Sequence, residues 1–102
     1  MFEINSKKYE LKYNMKRIEL IENATGIPLM SAMHKNGGML SIANLKIYIG
    51  YAIREVGADV LVDIKDGITL AEKLIENSDF VSVNGEVLDA LQRDCPFFFL
   101  AD

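Results

Sequence analysis

The spacing of apolar residues changes once, near Asn14, and this change constrains the fold more than any other feature of the sequence. Before Asn14, apolar and polar residues alternate on both sides of a polar break at residues 5–8; the apolar members are Phe2, Ile4, Tyr9, Leu11 and Tyr13. A period of two places these side chains on one face of a strand, so residues 1–13 predict a β-hairpin. Because an isolated hairpin is marginal in water, its apolar face must pack on other elements.

Helical spacing dominates from Asn14 onward. We expect helices over about residues 15–24, 28–33, 41 to 55 or 56, 69–77 and 84–95. Thr69 and Glu72 have the spacing of a capping box, and Asn84 suits the cap of the last helix. The prediction is an α+β, mainly helical fold in which the N-terminal hairpin packs on a small bundle of four to five helices. One domain covers residues 1–102, with the hairpin at 1–13, the helical part at 14–95 and an apolar C-terminal tail at 96–102.

The helix predicted to begin at Ser41 has the most regular pattern. One apolar stripe at helical spacing contains Ile42, Leu45, Ile49, Ala52, Ile53 and Val56. Gly50 lies in the middle of this helix, where glycine costs about 1 kcal/mol relative to alanine. Such a cost is easiest to explain where another backbone comes close. The sequence therefore predicts that another backbone comes close to Gly50, in a helix that is either central to its own core or shared with a partner.

Composition indicates one globular domain that works in the cytoplasm. Half of the 102 residues are apolar and a quarter are charged. No apolar run approaches the ~20 residues needed to span a bilayer, and the first residues lack the pattern of a signal peptide. A single cysteine, Cys95, fits a reducing compartment. We therefore expect no membrane-spanning segment.

The charge distribution disfavours nucleic acid as a partner. The net charge is −4, whereas phosphate binding relies on Lys and Arg. Residues 1–20 hold five bases and three acids, giving +2, and residues 59–94 hold nine acids and three bases, giving −6. The favoured interpretation of the acidic stretch is a solvated surface. The alternative is a face that steers a basic partner.

No combination of residues predicts catalysis, a metal site or a cofactor. His34 stands alone beside Gly37-Gly38, which lacks the strand and lysine of a phosphate loop. The aspartates of 59–66 lack the spacing of a calcium loop, because apolar residues occupy the ligand positions. Cys95 falls on the inward side of the last predicted helix, where a buried hydrophobic role is expected. The sequence thus predicts a binding protein and not an enzyme.

Two groups of apolar residues are candidates for partner binding. Ile47, Tyr48 and Tyr51 fall outside the main stripe of the predicted central helix, so they either contact a partner or are covered by another element. Phe97, Phe98 and Phe99 form the second group, which either completes the core or contacts a partner. Three methionines, Met30, Met33 and Met39, surround the glycine loop, where they fill the core or provide an adaptable surface.

The order of these features resembles the tail assembly chaperones of long-tailed bacteriophages. Members of that family often begin with an isoleucine, an Asn-Gly-Lys-type turn, Tyr-x-Leu and an aromatic residue before a helix. Residues 2–13 have this pattern, with Ser6 where glycine is usual. The stretch from Met15 to Gly26 is similar to the first helix of the family. The stretch from Ser41 to Gly57 is similar to a long helix with a Tyr-Ala pair, here Tyr51-Ala52. Residues 69–77, residues 87–95 and the Phe run are similar to the closing helices and the aromatic ending.

The resemblance implies a function in tail assembly. Such chaperones bind the long tape measure protein and assist assembly of the tail tube protein in the host cytoplasm, and they are absent from the mature particle. The family often makes a longer product by programmed frameshifting, so the U-rich codons of Phe97-Phe98-Phe99 imply a slip site and a frameshift-extended form as a further partner. The alternative is a structural head–tail connector or tail completion protein. The oligomeric state, including a homo-oligomer, stays open.

Overall fold

The fold is α+β and mainly helical, with a small antiparallel sheet at the start of the chain. The computed structural model describes residues 2–98. The strands are β1 (Phe2–Ile4), β2 (Lys7–Leu11) and β3 (Ile53–Glu55), in the order β1-β2-β3. The α-helices are α1 (Met15–Thr25), α2 (Leu29–His34), α3 (Ile42–Gly50), α4 (Ile64–Asn77) and α5 (Phe80–Asp94). Short 3-10 turns cover Lys35–Gly38 and Pro96–Phe98.

The predicted hairpin is confirmed, and its turn is defined. Ile4 pairs with Lys7, so Asn5 and Ser6 form a two-residue loop. Their φ angles are 51° and 69°, and two successive positive values are the requirement of a type I′ turn, which suits the twist of a hairpin. Asparagine tolerates this conformation well, whereas Ser6 occupies a position where glycine is favoured.

The apolar face of the sheet lies in the core, and its polar face carries paired charges. The buried sheet residues, each at most 9% exposed, are Phe2, Ile4, Tyr9, Leu11 and Ile53. On the other face Glu3 pairs with Lys8, and the Arg54 Nε donates to Glu10 Oε2 at 2.8 Å. Opposite charges on neighbouring strands stabilise the pairing that the alternation of apolar residues specifies.

The prediction of one helix from Ser41 to Glu55 or Val56 is wrong. Helix α3 ends at Gly50, and β3 then pairs with β2. Two residues of the predicted stripe are also exposed: Ile42 at 60% and Val56 at 42%. The segment Ile53-Arg54-Glu55 has two polar residues in succession and continues the helical spacing of the stripe, so periodicity gave no signal for the strand.

The predicted starts of the last two helices are also wrong. Helix α4 begins five residues before Thr69, and the Thr69 hydroxyl donates to the Lys65 carbonyl inside the helix, so there is no capping box. Helix α5 begins at Phe80, where the Asp79 carboxylate accepts from the Val81 N–H at 3.2 Å. Asn84 is therefore inside α5 and 3% exposed, not a cap.

Candidate partner-binding groove

Helix α2 is held in place by the end of α1. Gly26 ends α1 in a left-handed conformation with φ of 74°, and its N–H donates to the Glu22 carbonyl at 2.8 Å. The chain then reverses, and the Glu22 carboxylate accepts from the Leu29 N–H at 2.7 Å. Pro28, the N-cap of α2, provides no side-chain cap. A residue of α1 thus satisfies a free N–H at the start of α2.

The loop between α2 and α3 is fixed by the Asn84 side chain. Asn84 Oδ1 accepts from the Leu40 N–H at 3.1 Å, and Asn84 Nδ2 donates to the Gly38 carbonyl at 3.1 Å. Gly38 has φ of 88°, and a Cβ at this position would lie 3.6 Å from the Leu88 Cδ1. Both hydrogen bonds are buried, so the loop is anchored on α5 by a polar group that has no access to water.

An apolar groove lies between α2, this loop and the start of α3. Its volume is about 230 Å³. We call it the α2–α3 groove, and its lining consists of Ile27, Ala32, Lys35, Met39, Leu40, Ser41 and Asn44. Ser41 caps α3 by accepting from the Asn44 N–H at 3.1 Å. The next residue, Ile42, is 60% exposed and extends the apolar surface at this end of α3.

The charge of the α2–α3 groove differs from that of three other grooves in the described part of the chain. Lys35 is its one charged lining residue. The groove between the sheet and α5 contains Glu10, Glu86 and Asp89 together with Arg93. The groove between β1 and α4 contains Glu3 and Lys73, and a shallow groove beside α1 contains Glu22. An apolar groove with a cation and no carboxylate stands out in a chain of net charge −4.

The first group of predicted contact residues is mostly covered. Tyr48 is fully buried, and its hydroxyl has no hydrogen-bond partner among residues 2–98. Burial raises the pKa of Tyr48 to about 12, and the Glu22 carboxylate adds to the rise. Ile47 and Tyr51 are half-buried and pack against the core. Tyr48 is a core residue in this structure and presents no surface to a partner.

The second group is divided between core and surface. Phe98 packs against the core, and its N–H donates to the Cys95 carbonyl at 3.1 Å. Phe97 is 47% exposed, and the centroids of the two rings are 4.7 Å apart. Phe99 lies outside the described residues. Cys95 is buried, as predicted, and burial raises the pKa of its thiol.

The methionines around the loop have different environments. Met39 lines the α2–α3 groove, Met33 packs against the core, and Met30 is 41% exposed. Sequence reasoning identified Met39 but not Lys35 or Asn84. A polar residue near the start of a predicted helix suggested a local cap. The actual partners of Asn84 lie 44 and 46 residues away in the sequence, so local spacing could not indicate them.

Within residues 2–98 no three His, Cys, Asp or Glu side chains form a group that could hold a metal ion. None of the helices in the same part of the chain has the length and apolar character needed to cross a bilayer. Comparisons with protein-family models, with curated proteins and with solved structures give no match to this chain.

Proposed function

We propose that the protein is a bacteriophage tail assembly chaperone that binds the tape measure protein through the α2–α3 groove. The observation that carries this proposal is the groove itself, an apolar depression of about 230 Å³ whose sides are held by hydrogen bonds of Glu22 and Asn84. A tape measure protein is expected to be a long chain of amphipathic helices, and such helices insert apolar side chains into grooves of this kind. Binding without catalysis is sufficient for this role.

Two local features support the assignment to the chaperone family. The type I′ turn at Asn5-Ser6 occupies the position at which members of the family carry an Asn-Gly-type turn, and both residues have the positive φ that such a turn requires. Helix α1 ends at Gly26 in the left-handed conformation, where the family has its glycine break. The Tyr51-Ala52 pair does not support it, because these residues follow α3 and do not lie within a long helix.

The first test is whether a gene for a long helical protein lies beside this gene, and the second is co-expression of the two proteins. We expect the two proteins to co-purify and the tail tube protein to join them. Met39→Glu places a charge in the groove and should abolish co-purification. Met15→Glu is the matched control, since Met15 is 62% exposed on α1 and outside the groove. Equal binding by both variants would exclude the groove as the site.

A second test separates the chaperone from the alternative head–tail connector or tail completion protein. A chaperone acts in the host cytoplasm and leaves before the particle is complete. Mass spectrometry of purified particles should therefore fail to detect this chain. Its presence there at a fixed stoichiometry would favour the structural role.

The run Phe97-Phe98-Phe99 suggests a frameshift site in the messenger RNA. Phenylalanine codons are UUU or UUC, so Phe97-Phe98-Phe99 requires a U-rich stretch on which a ribosome can slip. We expect an extended form of the protein that shares the groove and binds the same partners. Interrupted U runs at these codons, or no overlapping frame, would exclude it.

A further inference from the structure

The α2–α3 groove combines an apolar lining with one cationic side chain. Lys35 is exposed, and it belongs to none of the ion pairs among the described side chains. The nearest carboxylate along the chain from Ile27 is Glu22, and this group is already engaged by the Leu29 N–H. The first turn of α3 also begins in this groove, and the partial positive charge of a helix N-terminus has the same sign as Lys35.

Hydrogen bonds within the chain hold both sides of the groove. Asn84 holds the loop that carries Met39 and Leu40 through two buried hydrogen bonds. The Glu22 carboxylate fixes the start of α2 on the opposite side. A lining held in this way avoids the entropic cost of ordering side chains and loops on binding. A ligand that fits this groove therefore has to place an apolar side chain on the lining and a compatible charge beside Lys35.

We infer that the groove takes an apolar side chain from a partner helix that carries a carboxylate beside it, with Lys35 pairing to that carboxylate. This inference rests on the proposed function, and it specifies the binding segment as an acidic amphipathic helix. A basic helix would place a cation against Lys35 and the positive end of α3. Complementary charge contributes specificity and association rate more than affinity. Among the described residues, no carboxylate of 59–94 lines the groove, so the charge nearest to a bound side chain is that of Lys35.

The test uses two designed helical peptides of equal length that have identical leucine positions and either glutamate or lysine at the polar positions. Binding to the full chain is measured by fluorescence anisotropy at low salt. We expect the glutamate peptide to bind about fivefold more tightly, which is the scale of one exposed ion pair. Lys35→Glu should reverse this preference. Lys65→Glu is the matched control, since it changes the net charge equally on the exposed surface of α4.

Each outcome of the peptide experiment supports or overturns the preference for an acidic helix. Equal binding of the two peptides, no binding of either, or equal effects of Lys35→Glu and Lys65→Glu would overturn the inference. High salt should remove the preference for glutamate, because exposed ion pairs are screened. Co-purification of the tape measure protein with wild type and with Lys35→Glu alike would leave the proposed function standing and this inference wrong. If the chain selects the glutamate peptide but does not bind the tape measure protein, the charge preference of the groove is right and the proposed function is wrong.

Discussion

Gly50 of α3 and Gly67 of α4 bring the backbones of two helices into direct contact. A Cβ on Gly50 would lie 2.6 Å from the Ile68 Cγ1 and 3.0 Å from the Ile68 nitrogen. A Cβ on Gly67 would overlap the Gly50 carbonyl oxygen. Two helices can cross this closely only where neither carries a side chain. This packing offsets the cost of Gly67 inside α4 and requires a glycine at the end of α3.

Gly67→Ala should therefore destabilise the protein. Backbone atoms cannot move aside as a flexible side chain can, so overpacking should lower the free energy of unfolding by about 1–3 kcal/mol. Gly85→Ala is the control, because a Cβ at this position in α5 meets open space. That variant should gain about 0.5–1 kcal/mol from the higher helix propensity of alanine. Urea denaturation of both variants measures the difference, and a Gly67→Ala variant as stable as Gly85→Ala would contradict the close crossing.

The hairpin, α1 and the close approach at Gly50 could be predicted because their signals are local. Alternation specifies the two strands, Asn14 and Gly26 mark the ends of α1, and a glycine in a helix needs a packing reason. Helix α4 could not be delimited in the same way. Thr69 and Glu72 suggested that the helix begins at residue 69, yet the Gly67 N–H already donates to the Asp63 carbonyl at 2.7 Å inside the helix. The reason for that glycine is Gly50, which is distant in the sequence.

The groove was less predictable than the fold. Its lining comes from the ends of α2 and α3 and from the loop between them, and the residue that fixes it lies on α5. Met39 was visible as part of a methionine group. The importance of Lys35 depends on the absence of carboxylates from the lining, which only the tertiary structure determines.

The same substitution should have opposite effects at two tyrosines. Tyr48 buries a hydroxyl without a partner among the described residues, so Tyr48→Phe should raise the free energy of unfolding by about 1 kcal/mol. The Tyr13 hydroxyl donates to the Tyr48 carbonyl at 2.7 Å, so Tyr13→Phe should lower it by about 1 kcal/mol. Thermal denaturation should show melting temperatures that move apart by several degrees. Equal shifts in one direction would show that the hydroxyls have similar environments.

Asp94 should make stability depend on pH below neutrality. Its carboxylate accepts from the Tyr13 N–H at 2.9 Å and from the Arg93 Nε at 2.8 Å. Partial burial raises the pKa of Asp94, but the hydrogen bonds from Arg93 and Tyr13 outweigh it, and the pKa is lowered from 3.8. A lowered pKa means that the stabilisation is complete above the unfolded-state value and is lost as the pH falls through the folded-state value.

Asp94→Asn should consequently be less stable than wild type at pH 7, by about 1–2 kcal/mol, because hydrogen bonds to a charged acceptor are lost. The difference should shrink as the pH is lowered below about 4, where the wild-type carboxylate takes up its proton. Asp89→Asn makes the same change of charge at an exposed position of α5. Unfolding free energies measured across this range should converge for Asp94→Asn only. A constant difference at all pH values would exclude the ionised carboxylate as the cause.

Asn84 should determine both stability and the order of the groove. Asn84→Ala leaves the Leu40 N–H and the Gly38 carbonyl without their side-chain partner, at a cost of about 1–3 kcal/mol. Asn84→Asp keeps an acceptor for the Leu40 N–H but places a buried negative charge against the Gly38 carbonyl, so it should be the less stable of the two variants at pH 7. Its stability should recover at low pH, where the protonated carboxyl can donate to that carbonyl. Hydrogen exchange should accelerate at the Leu40 amide in Asn84→Ala, which removes the acceptor of that amide. Asn77→Ala, at an exposed position of α4, should change neither property. A Leu40 amide that exchanges at the wild-type rate in Asn84→Ala would show that the loop is held by other contacts, and the groove would then have to be preformed without this side chain.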